Sequence, residues 1–335
     1  MTNVIPLIWH SRAPRQDMPR CFYIKEDLVI MGFILGSLQL GIMYGLLAAG
    51  IFISFRILNI PDLTAEGSFG FGLCVSAMIT IAGHPYLALI AGMAAGALAG
   101  TITGLLHTKC EIHPILAGIL TMTGLYSINL FVMKNSSNVS LINMDTVFTD
   151  AYALMPFIGK EWVKLIIVFI FTAIPVAALA VFFKTRMGLS IRATGDNEVM
   201  VRASSINVNK TKIGSLAISN ACIALNGAVL AQYQNYADIN TGSGMLIVGL
   251  ASVIIGEAIF GKRGVTIGLI SAVAGSAVYR IIMAVATKYI ITSSAASASS
   301  LKLVSAIIVG VALSVPAIKK AVSRAKAKKG GPFNA

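Results

Sequence analysis

Charged residues are scarce in this sequence. Only 12% of its 335 residues are Asp, Glu, Lys or Arg, and 56% are hydrophobic, whereas an ordinary soluble domain carries about 25% charged residues. So little polar surface could not cover a soluble core of this size. The apolar residues also fall into runs of about 20, the length at which a helix crosses a hydrocarbon layer ~30 Å thick. The sequence therefore predicts a membrane protein.

The sequence also lacks the motifs of several enzyme classes. It contains no GxxxxGK[ST] phosphate loop, no HExxH, no CxxC and no Ser-His-Asp grouping suggested by spacing. The four cysteines, Cys21, Cys74, Cys110 and Cys222, have neither metal-ligand nor disulfide spacing. These absences predict that the chain is not an enzyme. We expect no catalytic residues, no metal site, no cofactor of its own and no ATPase site.

The positive charge is concentrated in two hydrophilic segments. The net charge is +13, and much of it lies in residues 184–212 and 317–329, next to apolar runs. Clustering of Lys and Arg beside membrane spans is typical of cytoplasmic segments, so the pattern favours a membrane topology over a nucleic-acid surface. We expect both segments, and hence the C-terminus, to be cytoplasmic.

Hydropathy predicts an all-α, polytopic membrane helical bundle of about eight or nine transmembrane or re-entrant helices. Counting outward from the two basic segments places 56–64, 107–113 and 261–264 inside, and 134–162, 234–244 and 288–299 outside. The nine apolar segments are 32–55, 65–82, 86–106, 114–133, 163–183, 213–233, 245–260, 265–287 and 300–317.

Residues 1–30 differ from the rest of the chain. They are polar and contain proline, and they have neither the apolar core nor the cleavage site of a signal peptide. The orientation above would place their basic residues outside, against the charge bias. Two interpretations follow: a disordered N-terminal extension, or a start codon assigned too early, with translation beginning at Met31.

Glycine spacing predicts close helix packing. Gly92, Gly96, Gly100 and Gly104 recur every four residues, which forms a smooth ridge along one helix face and permits close backbone approach. Spans interrupted by Pro or Gly, near 61–73 and 240–261, are typical of helices that line a transport pathway, because irregular backbone is tolerated only inside protein or along a cavity.

Three charged residues lie within or at the ends of apolar runs. Glu66, after the expected cap Thr64, either stabilises a helix N-terminus or lines a pathway. Glu257 either makes a local ion pair or interface contact, with Lys262 nearby, or binds substrate. Arg280 either extends to the membrane surface or faces a pathway, where it could meet an anionic group of a substrate.

One segment carries a family resemblance. RMGLSIRATGDNEVMVRASSINVNKTK at 186–212 and the helical sequence that follows to 261 resemble the permeases of branched-chain amino acid and ribose ABC importers. NIPDLTAEGSFGFG at 59–72 is similar to a subgroup of single-gene permeases linked to the uptake of amino acids, aromatic ones included. The resemblance implies a type II ABC importer fold for the transmembrane permease domain, 31–317, followed by a basic tail, 318–335.

The resemblance also implies a coupling segment, residues 194–205, that docks on an ATPase. The residues support this independently: Gly195-Asp196-Asn197 is a turn and N-cap cluster, and an apolar edge follows it. The pair Ser204-Ser205 stands where family members more often have Leu-Gly, which leaves the end of that helix open. The expected coupling residues are Arg192, Thr194, Gly195, Asp196, Asn197, Val199, Met200 and Ala203.

Partners and mechanism are implied in the same way. The resemblance implies an ABC ATPase subunit that uses ATP and Mg, an extracytoplasmic solute-binding receptor of the lipoprotein type, and a permease homodimer in a bacterial plasma membrane. Polar positions at interrupted spans predict the substrate path, and these are Glu66, Ser68, Asn220, Asn226, Gln232 and Asn235.

The function predicted on this basis is import of a small polar solute, with an amino acid favoured. The alternatives are a permease for a nucleoside or sugar, a secondary carrier that works without an ATPase, and a membrane protein that does not transport.

Overall fold

The fold is an all-α bundle, as the sequence predicts. The computed structural model describes residues 20–157, 159–261, 264–292 and 310, with side chains for 32–157, 159–261, 264–287 and 310. Within these residues, eight helices are long and apolar enough to cross a membrane. They coincide with the first eight predicted spans. The predicted ninth span, the basic tail and residues 1–19 lie outside the described residues, apart from Gly310.

The described residues form eleven α-helices, and a short strand lies in each of two loops. The helices are α1 (Arg20–Ile51), α2 (Thr64–Ile81), α3 (Pro85–Thr108), α4 (Pro114–Val132), α5 (Val147–Leu154), α6 (Lys160–Phe182), α7 (Arg186–Asp196), α8 (Glu198–Ala203), α9 (Val208–Gln234), α10 (Met245–Phe260) and α11 (Val265–Thr292). A π-helical turn, Phe52–Ile57, extends α1, and a 3-10 turn, Ile239–Gly242, precedes α10. The strands are β1 (Asn138–Ser140) and β2 (Tyr236–Asp238).

Two ends of the bundle can be defined from contacts. Residues 56–63, 109–113, 184–207 and 261 form what we call the basic end, where Asn59 bonds Gly195 and Arg56 meets Glu257. Residues 83–84, 134–157 and 235–238 form the opposite sheet end. Successive long helices run in alternating directions between these ends, except that α10 begins within the bundle, beside Glu66, and ends at the basic end. This alternation agrees with the order of loops predicted from charge.

The sheet end carries a two-stranded antiparallel sheet that the sequence did not predict. Val139 pairs with Ala237, so the loop after α4 is joined to the loop after α9. Asn235 ends α9 in the left-handed conformation, with φ of 59°, and its carbonyl accepts the N–H of Leu141. Asparagine tolerates this conformation better than most residues, which explains its position between helix and strand.

The predicted glycine ridge on α3 packs directly against α9. A Cβ on Gly96 or Gly100 would overlap the backbone of α9 at Asn220 or Leu216, and Gly72 of α2 approaches α9 equally closely. We call this contact the α3–α9 seam. In lipid, helices associate through such close backbone approach because burying apolar side chains gains little.

Hydroxyl groups add polar links at the same depth. Thr64 of α2, Thr103 of α3 and Thr121 of α4 form a chain of hydrogen bonds, with oxygen separations of 2.7 and 2.9 Å. Ser219 of α9 donates to the carbonyl of Gly50 in α1, at 2.7 Å. These bonds lie away from water, where an unpaired hydroxyl would be costly. They therefore fix the register of α1, α2, α3, α4 and α9.

The first helix begins at Arg20, so it includes Met31 and the residues just before it. The helix continues without a break into the first membrane span, which starts near Gly32. Whether translation begins at Met31 stays a prediction.

The α3–α9 seam predicts that a large side chain destabilises the fold at a seam glycine but not at a glycine outside the seam. We expect Gly100→Leu to lower the apparent melting temperature of the purified permease, because the added side chain must displace the α9 backbone, and overpacking costs about 1–3 kcal/mol or more. Thermal unfolding in detergent measures the effect. The matched control is Gly214→Leu on α9, where a Cβ meets no atom within 4 Å. Equal losses from both variants would contradict the importance of the seam.

Candidate functional site

The predicted coupling segment consists of two helices that meet at Asn197. The side chain of Asn197 accepts the N–H of Met200 at 3.1 Å, which caps α8. The sequence-based assignment of an N-cap here is confirmed. The prediction that Gly195 and Asp196 also belong to the turn was wrong, because both are the last residues of α7. One extended residue is sufficient to change the chain direction.

Helix α8 presents apolar side chains to its surroundings. Val199 is 78% exposed and Met200 is 59% exposed, and Ala203 is also exposed. Val201 points the other way and is buried. The helix ends at Ala203. Apolar side chains exposed together on one short helix are typical of a protein interaction surface.

An ion-pair cluster attaches α8 to α9. Glu198 accepts hydrogen bonds from Lys212 at 2.7 Å and from Arg202 at 2.6 Å. These two cations lower the pKa of the Glu198 carboxyl, with Lys212 the larger influence. Of the three side chains, that of Lys212 is the least exposed. The cluster therefore holds the exposed face of α8 in a fixed orientation relative to the bundle.

The remaining predicted coupling residues face the bundle or its edge. Thr194 is buried and donates to the carbonyl of Ser190 at 2.7 Å. Gly195 lies against the carbonyl of Ile57, leaving no space for a Cβ, and its own carbonyl accepts a hydrogen bond from Asn59 at 2.9 Å. The segment thus has an exposed part in α8 and an inward part that contacts the residues between α1 and α2.

A cavity of about 250 Å³ lies beside this contact at the basic end. An ion pair forms part of its wall: Arg56 donates from two guanidinium nitrogens to both carboxylate oxygens of Glu257. The expectation of an ion pair at Glu257 is thereby met, with a partner 201 residues away; Lys262 lies outside the described residues. The cavity is lined by Phe52, Arg56, Ile57, Arg192, Asp196, Glu257, Gly261, Gly264, Val265 and Gly268.

Glu66 contacts the N-terminus of a helix other than its own. One carboxylate oxygen accepts the N–H of Gly244, at 3.0 Å, where α10 begins. Gly244 is the N-cap of α10 and has no side chain to satisfy these groups. Thr64 is not the cap of α2: Asp62 accepts the N–H of Thr64 at 2.9 Å, and the Thr64 hydroxyl bonds Thr103 instead.

A second cavity, of about 290 Å³, opens beside Glu66. It lies between α2, α4 and the turn that precedes α10, and we call it the Glu66 cavity. Glu66 is the only one of the six predicted path residues among those that line it. The lining residues are Glu66, Gly67, Gly70, Met122, Thr123, Tyr126, Asn129, Ile239, Asn240, Gly242 and Ser243. The sequence analysis missed the α4 and loop residues, because α4 reads as a uniformly apolar span.

The other predicted path residues lie between helices or at the sheet end, and their role in a path stays a prediction. Asn220 donates to the buried carboxylate of Asp62 at 2.6 Å. Gln232 accepts the N–H of Val147, at 3.0 Å, and Asn235 ends α9 as described above. Ser68 and Asn226 are fully buried, and their side-chain polar atoms have no hydrogen-bond partner among the described residues.

Arg280 contacts an aromatic ring. Its guanidinium carbon lies 4.0 Å from the centre of the Tyr44 ring, so the cation packs against α1. Tyr44 in turn stacks on Phe69 of α2, with 6.4 Å between ring centres. A desolvated contact of this type is worth about 2 kcal/mol or more. The arrangement links α11, α1 and α2, and it leaves both sequence-based interpretations of Arg280 open.

Comparison with known proteins relates this chain to membrane permeases. A family model described as branched-chain amino acid transport system, permease component, matches residues 33–314. A tyrosine transport system permease protein of Clostridioides difficile is 32% identical over 299 residues, covering 89% of this chain and 96% of that protein. The ribose import permease protein of Escherichia coli K12 is 28% identical over 200 residues, 59% of this chain and 60% of its own. No solved structure matches this chain.

The ion pair of Arg56 and Glu257 at the basic end predicts that the thermal stability of the permease depends on these two charges. We expect Arg56→Glu and Glu257→Arg each to lower the apparent melting temperature, and the double exchange to recover part of the loss, because contacting charges couple by about 0.5–3 kcal/mol. Thermal unfolding of the four proteins measures the coupling. Lys164→Met is the control, since it removes a more exposed pair with Glu161, worth about 0–1 kcal/mol. Additive losses in the double exchange would contradict the prediction.

Proposed function

The chain belongs to the permease family of branched-chain amino acid transport systems, and we propose that it is the membrane subunit of an ABC importer for an amino acid. The similarity to a tyrosine transport permease over nearly the whole of both chains carries the choice of substrate class. The eight apolar helices agree with a multi-pass membrane protein. The chain would contribute the transport path, and a separate subunit would hydrolyse ATP.

The exposed face of α8 supports an ATPase contact. Val199, Met200 and Ala203 form an apolar surface on a helix that is only six residues long. Such a surface is suited to a cleft in a partner protein. The ATPase subunit would bind ATP and Mg. An ATPase contact at α8 would put the basic end in the cytoplasm, and the excess of Lys and Arg at this end supports that orientation.

The contacts at the basic end suggest how ATPase motion reaches the bundle. Displacement of α8 would move α7, whose Gly195 touches Ile57 and Asn59. The adjoining Arg56 holds Glu257 on the last turn of α10. Movement at the ATPase contact is thereby passed to α10. We infer a permease homodimer in a bacterial plasma membrane, with the solute delivered by a receptor at the sheet end.

A sugar or nucleoside is the second candidate substrate. The observation in its favour is the similarity to a ribose import permease, although that similarity covers a smaller part of both chains. Because the proposed receptor delivers the solute, the ligand that it binds can separate the two candidates without the permease.

A ligand screen of the partner receptor tests the substrate class. We expect the purified receptor to bind one or more L-amino acids, aromatic ones included, and to show no binding of nucleosides or ribose in calorimetric titration. Uptake of the bound amino acid by proteoliposomes that contain the receptor, this permease and the ATPase then completes the test. A receptor that binds only a sugar or nucleoside would overturn the amino acid assignment.

The coupling surface has its own test. We expect Val199→Asp combined with Met200→Asp to prevent co-purification of the ATPase subunit, because two carboxylates would be desolvated in its cleft. Met187→Asp is the matched control: Met187 is 62% exposed at the same end, outside residues 194–205. Retention of the ATPase by the double variant, or its loss with Met187→Asp alone, would contradict the proposed surface.

A further inference from the structure

The Glu66 cavity has the size and lining of a small-molecule site. Its volume of about 290 Å³ is close to the lower limit of ligand pockets, about 300 Å³. Met122 and Tyr126 of α4 give the cavity an apolar side, and Gly67 and Gly70 of α2 line it without contributing side chains. The cavity therefore combines an apolar side with the polar groups described next.

Asn129 lines this cavity and carries an unused hydrogen-bond acceptor. The residue is 3% exposed, and its side-chain oxygen has no hydrogen-bond partner among the described residues. A buried amide oxygen without a partner costs about 1–3 kcal/mol. The oxygen itself is covered by protein in this structure, and a half-turn of the amide, which exchanges its oxygen and nitrogen, would turn the oxygen toward a donor in the cavity.

Glu66 provides a negative charge at the same cavity. Its carboxylate accepts from the N–H of Gly244, and an ionised carboxylate can accept about four hydrogen bonds in total. Acceptor capacity therefore remains for a ligand. A carboxylate within a membrane-spanning segment is costly and is usually functional.

We propose that the Glu66 cavity is a substrate site within the membrane, where Glu66 and Asn129 accept hydrogen bonds from the ammonium group of an amino acid. An ammonium group has three donors and no acceptor, which suits a carboxylate beside an unpaired amide oxygen. The apolar side formed by Met122 and Tyr126 would contact the side chain of the amino acid. This inference rests on the proposed function and deepens it, since ribose offers no cation to this pair of acceptors.

Glu66 has a competing role, because it also satisfies the start of α10. If Glu66 had only this structural role, substitution of Asn129 would change neither the uptake nor the binding of the amino acid. Asn129 is therefore the decisive position: its oxygen has no partner to lose, so Asn129→Leu, of similar size, removes the acceptor without breaking a hydrogen bond of that oxygen. Ser215→Ala is the control, since Ser215 is a fully buried residue of α9 whose hydroxyl has no partner among the described residues and which does not line the cavity.

The first measurement is uptake per ATP hydrolysed. Proteoliposomes contain the permease and ATPase, with receptor saturated with L-tyrosine, or with the amino acid that the receptor selects. We expect Asn129→Leu and Glu66→Gln to reduce uptake per ATP about tenfold while receptor-stimulated ATPase activity persists, and Ser215→Ala to leave the ratio unchanged. Normal uptake by Asn129→Leu overturns the site and leaves the importer assignment intact. Absence of uptake by the parent importer overturns the proposed function instead.

The second measurement identifies the group that is recognised. Radiolabelled L-tyrosine is bound to the permease–ATPase complex without receptor, and unlabelled analogues compete. We expect tyramine, which keeps the ammonium group, to compete, and 3-(4-hydroxyphenyl)propionate, which lacks it, not to compete. Binding by Asn129→Leu should weaken about tenfold. Equal competition by both analogues, or parent-like binding by the variant, overturns the assignment. If the Glu66→Gln variant fails to assemble with the ATPase, the Asn129→Leu variant alone decides whether the cavity binds the amino acid.

Discussion

The N–H groups at the start of a helix need partners wherever water is absent, and α10 depends on this constraint. Its 16 residues rise about 1.5 Å each, or about 24 Å in total, less than a hydrocarbon layer ~30 Å thick. Its first turn therefore lies within the bundle. Glu66 of α2 supplies the carboxylate that satisfies Gly244, and an anion at a helix N-terminus is also favoured by the helix dipole. Without this contact the N–H of Gly244 would lose its side-chain partner.

The same short stretch of chain holds both ends of α10. Glu66 lies at the first turn of α10, and Arg56 lies at its last turn, bonded to Glu257. The signs are complementary to the helix dipole at each end, with the anion at the N-terminus and the cation at the C-terminus. Asn59, between them, bonds the carbonyl of Gly195 in α7. Three elements that are distant in sequence are thus fixed to one another through eleven consecutive residues, 56–66.

The features that the sequence predicts are local ones. Span positions follow from apolar run length, the seam follows from the four-residue spacing of glycine, and the cap at Asn197 follows from residue type. The partners of Glu66 and Glu257 could not be read in this way, because they lie 178 and 201 residues away. Asn129 was missed for a related reason: one amide in an apolar helix carries no signal until the fold shows what faces it. Glu66 lies in the first turn of α2, as expected, but the N–H that its carboxylate accepts belongs to the start of α10.

The α3–α9 seam has a mechanical consequence. At Gly96 and Gly100 the backbones of α3 and α9 are in contact. Neither helix can therefore slide along the other without a steric clash. Together with Gly72 of α2, the seam makes α2, α3 and α9 a stiff block. The easier displacement lies elsewhere, where long side chains separate the helices and can change rotamer at little cost. Any rocking of the bundle would then take place at the borders of this block, which serves as the stationary frame.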